Sequence, residues 1–415
     1  MFSAFQTFGR LGAGARAVAA AWSPSALWPT GTEPGMWIDP SNLASQWQDS
    51  TGTTPVAPPG TVADSSNPVG LALDLRLGAT ALTDPGNHLL QATSTARPMQ
   101  SARRNLLQYT EDFTNGYWLN ATTVTPNYGT APDGTQTSTR LVFPGPNNAI
   151  LQANILSTPT PATAYCYVKG AAGETLLLEN NLGTPTLITL TGAWQLASKS
   201  SGGGTSFVIG TYGGATARDV EVWHPQFELG TTATDYQAIL TDGSSYPSTG
   251  FPIYQKYDGT DDGMATASFA AGTLTSAMDC LIAVRRDSAG NAVCGLYESV
   301  AEANKVFGIA ESGSGSGCVG SGAGTPTVWV DGVQLTGGTA VTRGTLHTAL
   351  TVGEYHVLEF RGLDLSTWTA SGFGLYTSYV LNGAQGGILL FPSSTPTADR
   401  DAARTWLGAK VGLTL

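Results

Sequence analysis

The sequence has little charge and no excess of basic residues, and both shortages restrict what the protein does. Asp, Glu, Lys and Arg make up 12% of its 415 residues, about half the usual share, so long salt-bridged helices are not expected. Lys and Arg number 19 against 30 Asp and Glu, a net charge of −11. Because no basic stripe is available to neutralise phosphates, we expect no nucleic-acid partner and no anionic membrane surface.

Cysteine, histidine and long apolar runs are also scarce. The four cysteines are too sparse for a disulfide scaffold, so we expect buried thiols, with a Cys280–Cys294 hairpin bridge as the alternative. The four histidines are scattered, with no HExxH and no zinc-ligand spacing. No apolar run approaches the ~20 residues that a membrane span needs, so membrane insertion is not expected.

What the chain has in abundance is glycine, 52 residues, together with short runs of β-branched and aromatic residues. Asx-Gly dipeptides such as Asp242-Gly243, Asp331-Gly332 and Asn382-Gly383 lie between these runs and are typical of tight turns. This pattern predicts an all-β protein of tandem antiparallel β-sandwiches. A short C-terminal helix within "TPTADRDAARTWLGAKVG" is expected, with Thr397 as its N-cap and Gly412 after its end.

The composition divides the chain into three zones. Residues 1–100 are rich in Pro and Gly, which indicates an irregular N-terminal arm whose tryptophans pack on neighbouring subunits or on the following domains. Strand-like runs such as "TRLVF" (Thr139–Phe143) occupy residues 101–245. Runs such as "MDCLIAVRR" (Met278–Arg286) and "GGILLF" (Gly386–Phe391) occupy residues 246–415. We therefore predict an arm and two β domains.

The motifs that would carry enzyme chemistry are weak. "GSGSG" (Gly313–Gly317) and "GSGCVG" (Gly315–Gly320) match a nucleophile elbow and a dinucleotide fingerprint, but they lack the strand–turn–helix context and indicate a loop. Glycosidases need two carboxylates about 5–10 Å apart. Glu221/Glu228 and Glu354/Glu359 are possible pairs, and no sequence signal selects either. We expect a protein without catalytic residues.

Two sets of binding residues remain as candidates. Flat rings stack on the apolar faces of sugars, which makes an aromatic set in the last zone candidate ligand contacts, with a place in the core as the alternative: Trp329, Trp368, Tyr376 and Tyr379. The stretch "YDGTDDG" groups three carboxylates that are hard oxygen ligands for calcium, with a solvated turn as the alternative: Asp258, Asp261 and Asp262. No other cofactor is expected.

The segment Val220–Tyr236, "VEVWHPQFELGTTATDY", raises a separate question because it groups Trp223, His224 and Glu228. Val220 and Val222 share one strand face, whereas Trp223, Phe227 and Leu229 have the opposite parity. Such a change of face implies a bend or bulge near His224-Pro225, where proline cannot donate a ladder hydrogen bond. We interpret this segment as the closing strand of a sandwich, and a sugar contact by His224 or Glu228 is the alternative.

Several segments resemble structural proteins of tailed-bacteriophage virions. In the first zone the resemblance is carried by "GMWIDPSNLASQWQDSTGTTPV" (Gly35–Val56) and "PVGLALD" (Pro68–Asp74). The middle zone is similar to a jelly-roll, carbohydrate-binding-module-like domain through "ARRNLLQYTEDFTNGYW" (Ala102–Trp118), "TAPDGTQTSTRLV" (Thr130–Val142) and Val220–Tyr236. The last zone resembles a concanavalin-like (LamG-type) sandwich through "YQKYDGTDDGMAT" (Tyr254–Thr266), "VWVDGVQLTG" (Val328–Gly337) and "ADRDAARTWLGAKVGL" (Ala398–Leu413).

The resemblance implies a non-enzymatic virion protein, made in the bacterial cytoplasm. It implies a tail fibre, spike or other projecting component that binds bacterial surface glycans. The N-terminal arm would contact other virion proteins, and the chain would form a homo-oligomer, with a trimer as the expected state. Two alternatives remain: a capsid decoration or cementing protein without a receptor role, and a polysaccharide depolymerase. Chain termini lying far apart would favour the decoration protein.

Overall fold

The computed structural model describes residues 22–58, 66–84, 86–102, 104–120, 122–156, 159–181, 185–213, 216–229, 233, 235–240, 252–267, 269, 274–299, 304–335 and 341–415. The start of the predicted N-terminal arm, residues 1–21, and the predicted turn Asp242-Gly243 lie outside the described residues. Within them, no helix is long and apolar enough to cross a membrane.

Secondary structure is mostly antiparallel β, which confirms the predicted all-β class. The first zone contains β1 (Met36–Ile38), β2 (Gln46–Trp47), β3 (Leu71–Ala72), β4 (Leu89–Leu90) and β5 (Met99–Ala102). The middle zone contains β6 (Leu119–Asn120), β7 (Thr123–Thr125), β8 (Thr139–Phe143), β9 (Ala149–Gln152), β10 (Thr160–Gly170), β11 (Thr175–Glu179), β12 (Thr186–Thr189), β13 (Gln195–Gly204), β14 (Phe207–Gly210) and β15 (Arg218–Leu229).

In its described residues the last zone contains twelve strands and two α-helices. They are β16 (Ile253–Asp258), β17 (Met264–Ala265), β18 (Met278–Arg286), β19 (Ala292–Val293), β20 (Ile309–Ala310), β21 (Gly324–Val330), β22 (Val333–Gln334), α1 (Arg343–Ala349), β23 (Tyr355–Leu363), β24 (Gly372–Phe373), β25 (Leu375–Tyr376), β26 (Tyr379–Val380), β27 (Asn382–Pro392) and α2 (Thr397–Lys410). Short 3₁₀ helices lie at Pro24–Leu27, Leu43–Ser45, Leu75–Leu77, Ser94–Ala96 and Ser321–Ala323.

The middle zone forms one β-sandwich, here called the inserted sandwich (residues 104–240). Its two sheets have the orders β13-β10-β15-β8-β7 and β12-β11-β14-β9-β6. Alternate residues of β10, Ala164, Cys166 and Val168, point into the core between the sheets together with Phe207 of β14. Because side chains alternate along a strand, Tyr165, Tyr167 and Lys169 lie on the outer face of the first sheet.

The first and last zones together form a second sandwich, here called the main sandwich. Its larger sheet has the order β22-β21-β23-β18-β27-β16-β5, with β1 also paired to β27, and its smaller sheet has the order β2-β3-β4-β17-β24. The central strands β18 and β27 are almost wholly buried. They have continuous apolar sequences because one face packs on the smaller sheet and the other lies under α2.

The predicted irregular arm, residues 1–100, is therefore wrong for the described residues between 22 and 100. Met36 of β1 pairs with Leu390 of β27, and Ala102 of β5 pairs with Ile253 of β16. The strands of this zone are only two to four residues long, too short to show a period of their own, so their partners set their register.

The tryptophans of the first zone also pack within the chain. Trp28 is 3% exposed and stacks on Trp37 at 6.4 Å between ring centroids, and Trp37 meets Trp406 of α2 edge to face at 6.1 Å. The indole N–H of Trp22 donates to Asp399 of α2, 3.1 Å away. The start of the described chain thus lies against the C-terminal helix.

Local predictions had mixed outcomes. Asp331 and Gly332 have φ of +51° and +78°, which confirms the turn between β21 and β22. Asn382-Gly383 lies inside β27 and is not a turn. The predicted N-cap is wrong by one position, because Pro396 is the N-cap of α2 and Thr397 is its first residue. Cysteines 166, 280, 294 and 318 are free and buried, so the predicted thiols are confirmed and the Cys280–Cys294 bridge is wrong.

Candidate functional site

Two of the four predicted sugar-contacting aromatic residues are core residues. Trp368 is 5% exposed, lies 6.0 Å from the Phe307 ring, and donates its indole N–H to the carbonyl of Gly322. Tyr376 is 3% exposed and packs on Tyr297. A sugar cannot reach either ring, so the predicted contacts are wrong for Trp368 and Tyr376.

The other two residues, Trp329 and Tyr379, are half-buried and lie in different sheets. The guanidinium of Arg361 lies 4.0 Å from the centroid of the Trp329 ring. The Tyr379 hydroxyl donates to Glu311 and accepts from Arg343. Both rings have protein partners, and their roles as ligand contacts stay predictions.

The three predicted calcium ligands do lie together. One carboxylate oxygen from each of Asp258, Asp261 and Asp262 falls within 4.8 Å of the others. Asp262 is 5% exposed and accepts from the amide of Asp258 at 2.8 Å. Burial, with the charges of Asp258 and Asp261, raises the pKa of Asp262 to about 7. Hard oxygen donors suit Ca²⁺, which takes six to eight of them, so calcium binding stays a prediction.

The bulge predicted near His224-Pro225 is confirmed. Tyr165 of β10 pairs with Gln226 and Tyr167 pairs with Trp223, so His224 and Pro225 together face one residue of β10. His224 has φ +52°. The extra residue restores the alternation, and Val222 and Phe227 both reach the core.

A row of apolar side chains crosses the outer face of the first sheet of the inserted sandwich. Tyr167 of β10 lies opposite Leu196 of β13 on one side and Trp223 of β15 on the other. The Tyr167 and Trp223 ring centroids are 5.5 Å apart. Leu196 is 48% exposed and Tyr167 is half-buried. Beside them the Trp194 ring lies 5.8 Å from the Lys169 ammonium.

His224 extends this row as the middle ring of a stack. Its ring lies between Trp223 at 3.2 Å and Tyr236 at 3.7 Å, with interplanar angles of 17° and 14°. The Trp223 indole N–H donates to Thr137, and the Tyr236 hydroxyl hydrogen bonds to Thr110 and Glu111. We call these five ring side chains, together with the leucine beside them, the aromatic row: Leu196, Tyr167, Trp194, Trp223, His224 and Tyr236.

Burial determines the protonation states of His224 and Tyr236 in this row. It lowers the pKa of His224 to about 4 against the opposing charge of Asp133. His224 is therefore neutral at pH 7, and its 3.9 Å approach to Glu111 is not an ion pair there. Burial and the carboxylate of Glu111 raise the pKa of the Tyr236 phenol well above its usual value.

Two segments are attached beside the aromatic row by hydrogen bonds. On one side the loop 126–138 is held by Ser138, which donates to Glu221 at 2.6 Å, and by Thr130, which accepts from the Trp194 indole at 2.9 Å. On the other side the segment 235–240 is held by Gln226, which accepts from the amide of Gln237. The row crosses the three neighbouring strands β13, β10 and β15, which span about 10 Å. Trp223 is 8% exposed, so the accessible part of the row is carried by Leu196, Tyr167 and Trp194.

The carboxylates proposed for glycosidase chemistry do not meet. Glu221 and Glu228 lie seven residues apart on β15, and Glu354 and Glu359 lie five apart at β23, so each pair is separated by roughly 15–20 Å of extended strand. Glu228 is 2% exposed and does not face a ligand. The side chain of Glu359 is fully buried between Arg361 and Arg404.

A sequence signal for this row exists in "AYCYVK" (Ala164–Lys169), where aromatic and basic residues alternate with small apolar ones. That alternation marks an outer face carrying large rings. It does not reveal that Leu196 and Trp223 lie beside Tyr167, because cross-strand neighbours follow from the sheet order.

Comparisons with known proteins give weak structural likenesses. No protein-family model and no curated protein matches the chain. Among solved structures, it is similar to the CBM22-1 xylan-binding domain of Paenibacillus barcinonensis Xyn10C, with 16% identity over 32% of this chain and 98% of that one, at a TM-score of 0.23. The CBM22-1-CBM22-2 tandem domain of the same protein matches with 12% identity, 70% and 98% coverage, and a TM-score of 0.23.

A third likeness is to the tripod (BppUct-A-L) from the baseplate of bacteriophage Tuc2009. It has 11% identity, covers 71% of this chain and 97% of that one, and has a TM-score of 0.20. At these identities and TM-scores none of the three likenesses shows a common family or function.

Proposed function

We propose that the protein is a non-enzymatic structural component of a tailed-phage virion that binds bacterial surface glycans through the aromatic row of the inserted sandwich. The observation that carries the binding role is the set of exposed Leu196 and half-buried Tyr167 and Trp194 on the outer face of one sheet. The resemblance of the first two zones to structural proteins of phage virions supports a place in the virion.

The chemistry of the aromatic row suits a sugar chain. Ring faces and edges bind the C–H surfaces of pyranoses, and a few polar groups at the margins provide specificity. Lys169, which is paired with Glu221 at 2.9 Å, and the hydroxyl of Thr137 lie beside the row as such groups. The rigid sheet holds the rings in place, so little conformational freedom is lost on binding.

The absence of hydrolysis in this proposal is supported by the geometry of the two carboxylate pairs weighed from the sequence, Glu221/Glu228 and Glu354/Glu359. A glycosidase needs an acid and a second carboxylate on either side of one bond. The two pairs that the sequence offers are too far apart along their strands, and three of their four members are buried or paired.

Within this proposal we assign a projecting position, such as a tail fibre or spike, because a glycan-binding face has to reach the bacterial surface. A capsid decoration or cementing protein without a receptor role is the alternative.

The test of the binding role is an array of bacterial surface glycans probed with the full chain. We expect wild type to bind and Tyr167→Ser to lose about tenfold or more in affinity, the loss of one ring contact. Tyr212→Ser is the matched control, because Tyr212 is 50% exposed and follows β14 in the other sheet. Blank wells with wild type, or equal losses in both variants, would reject the aromatic row.

The virion role is tested separately by image reconstruction of the phage particle. Density that fits both sandwiches on a fibre, spike or baseplate supports the proposal. Particles that lack this chain reject it, and density spread over the capsid lattice favours the decoration protein.

A further inference from the structure

We propose that the aromatic row selects glycans that are uncharged or carry amines, and that it rejects glycans bearing carboxylate or phosphate groups. This inference rests on the proposed glycan-binding function and adds the chemical class of the ligand. It follows from the charges around the aromatic row.

Two carboxylates lie near the end of the aromatic row at His224. Glu111 lies 3.9 Å from Nε2 of His224 and accepts a hydrogen bond from the Tyr236 hydroxyl. Asp133, in the flanking loop, exerts its charge on the same imidazole. His224 is thus the shared neighbour of both acids.

Neither acid has a cationic partner among the described residues. Asp133 is bound by the amide and hydroxyl of Thr135, at 2.9 and 2.7 Å, which lowers its pKa and keeps it ionised. His224, which alone forms an ion-pair contact with Glu111 in the described chain, is neutral at pH 7. Two uncompensated negative charges therefore remain at this end.

The cations of the same face are already paired. Lys169 binds Glu221 at 2.9 Å, and Arg140 binds Asp219 through a two-pronged contact of 2.6 and 2.8 Å. An anionic ligand would have to replace these partners while it approaches Glu111 and Asp133. Like charges repel one another, and the repulsion is stronger near a protein surface than in bulk water.

Neutral and amine-bearing sugars avoid this repulsion. A hydroxyl group donates to a carboxylate, and an ammonium group gains both the hydrogen bond and the charge attraction. The same two acids that repel a uronic acid are thus acceptors for the donors of a neutral or amino sugar.

The test is titration of the full chain with hexamers of glucose, glucosamine and glucuronic acid at about pH 6 and low salt. We expect the glucuronic acid hexamer to bind about tenfold or more weakly than the other two, because one like-charge contact is worth about 1.4 kcal/mol. Added salt should narrow the difference, since it screens charges at the surface.

The double variant Glu111→Gln/Asp133→Asn should bring the three affinities closer together, mainly by improving the acidic hexamer. Glutamine keeps an acceptor for Tyr236 and asparagine keeps one for Thr135. Asp364→Asn is the matched control, because Asp364 caps an equivalent turn through Ser366 in the main sandwich and should change nothing.

Each result bears on a distinct claim. Equal or tighter binding of the glucuronic acid hexamer by wild type overturns the charge inference and leaves glycan binding in place. The charge inference is also overturned if the double variant still binds the glucuronic acid hexamer as weakly, relative to the other two, as wild type does. The two acids would then not be the cause of the difference. Failure of all three hexamers to bind overturns the proposed function together with the inference.

Discussion

At the scale of single residues, His224 shows how a backbone irregularity fixes a side chain. Its φ of +52° lies in a region that non-glycine residues seldom occupy, and the bulge places its ring between Trp223 and Tyr236. Residue parity in the sequence predicts the bulge. The stack depends on Tyr236, which comes from a segment beyond the strand.

The pH dependence of stability tests the energetic cost of burying His224. Its pKa is about 4 in the folded chain against an ordinary value of 6.5, so between these values the unfolded chain binds more protons. Stability is therefore full above about pH 6.5 and falls as the pH drops towards 4. We expect a loss on the order of 2 kcal/mol in the wild-type free energy of unfolding over this range, measured by urea denaturation.

His224→Asn should lack this part of the pH dependence, because asparagine tolerates positive φ and does not titrate there. The variant will be less stable at neutral pH, so the quantity to compare is how steeply the free energy of unfolding changes with pH in each protein. Parallel pH profiles for wild type and variant would contradict the burial of a neutral imidazole.

Asp262 gives a test of opposite sign that also decides the calcium prediction. Its pKa of about 7 lies above the ordinary 3.8, so the folded chain holds an extra proton, and stability is lost as the pH rises through 7. In chelator, the melting temperature should fall between about pH 6 and pH 8. Calcium should restore it at the higher pH, where the carboxylate is charged.

Asp262→Asn should remove both the pH-dependent loss and the calcium response. Asp112→Asn is the control, since Asp112 is an exposed turn residue that caps Thr114. If calcium does not raise the wild-type melting temperature at the higher pH, the metal site is refuted. The grouping of these aspartates was predictable because they are close in sequence.

At the scale of elements, the C-terminal helix α2 is attached to the larger sheet by ion pairs whose acidic members are buried. Arg400 pairs with Asp279 of β18 at 2.7 Å, and Arg404 pairs with Glu359 of β23 at 3.3 Å. The two acidic side chains are at most 1% exposed. The sequence predicts the helix itself from its termini, but these partners lie in strands far away along the chain.

Arg400→Met should leave Asp279 buried without its charge partner and cost about 3–5 kcal/mol in the free energy of unfolding. The double variant Arg400→Met/Asp279→Asn should recover much of this loss. The matched control is Arg140→Met, which breaks an exposed pair with Asp219 and should cost less than about 1 kcal/mol. Equal losses in the two single variants would show that burial adds nothing to the Arg400 pair.

At the scale of the whole molecule, the inserted sandwich interrupts the main sandwich between two neighbouring antiparallel strands of its larger sheet. The chain leaves the larger sheet after β5 and returns to it at β16, and these two strands are direct neighbours. Ala102 and Ile253 are paired residues, so their Cα atoms lie only about 5 Å apart. A domain between such close ends adds no strain to the sheet around it.

Replacing residues 104–250 with a Gly-Ser turn of about four residues should leave a folded main sandwich. We expect cooperative thermal unfolding and a near-ultraviolet circular dichroism signal from the packed Trp28, Trp37 and Trp406. Failure of this shortened chain to fold would mean that the inserted sandwich supports its host.

Residues 252–415 alone, by contrast, should not fold. Without the first zone the larger sheet loses β1 and β5, and the smaller sheet keeps only β17 and β24, two residues each. The core would also lose Met36, Ile38 and Leu89. Cooperative unfolding of this fragment would show that the first zone is dispensable.

The sequence by itself determined the β class, the bulge, the helix α2 and long strands such as β8 and β18, whose bounds coincide with predicted runs. These features depend on local periodicity and turn chemistry, which neighbouring residues carry. The tertiary structure alone decided that residues 22–102 belong to the last sandwich, that Trp368 and Tyr376 are core, and that Leu196, Tyr167 and Trp223 form one row. Each of these depends on which distant strands pair, and pairing is settled by the joint burial of residues far apart in the chain.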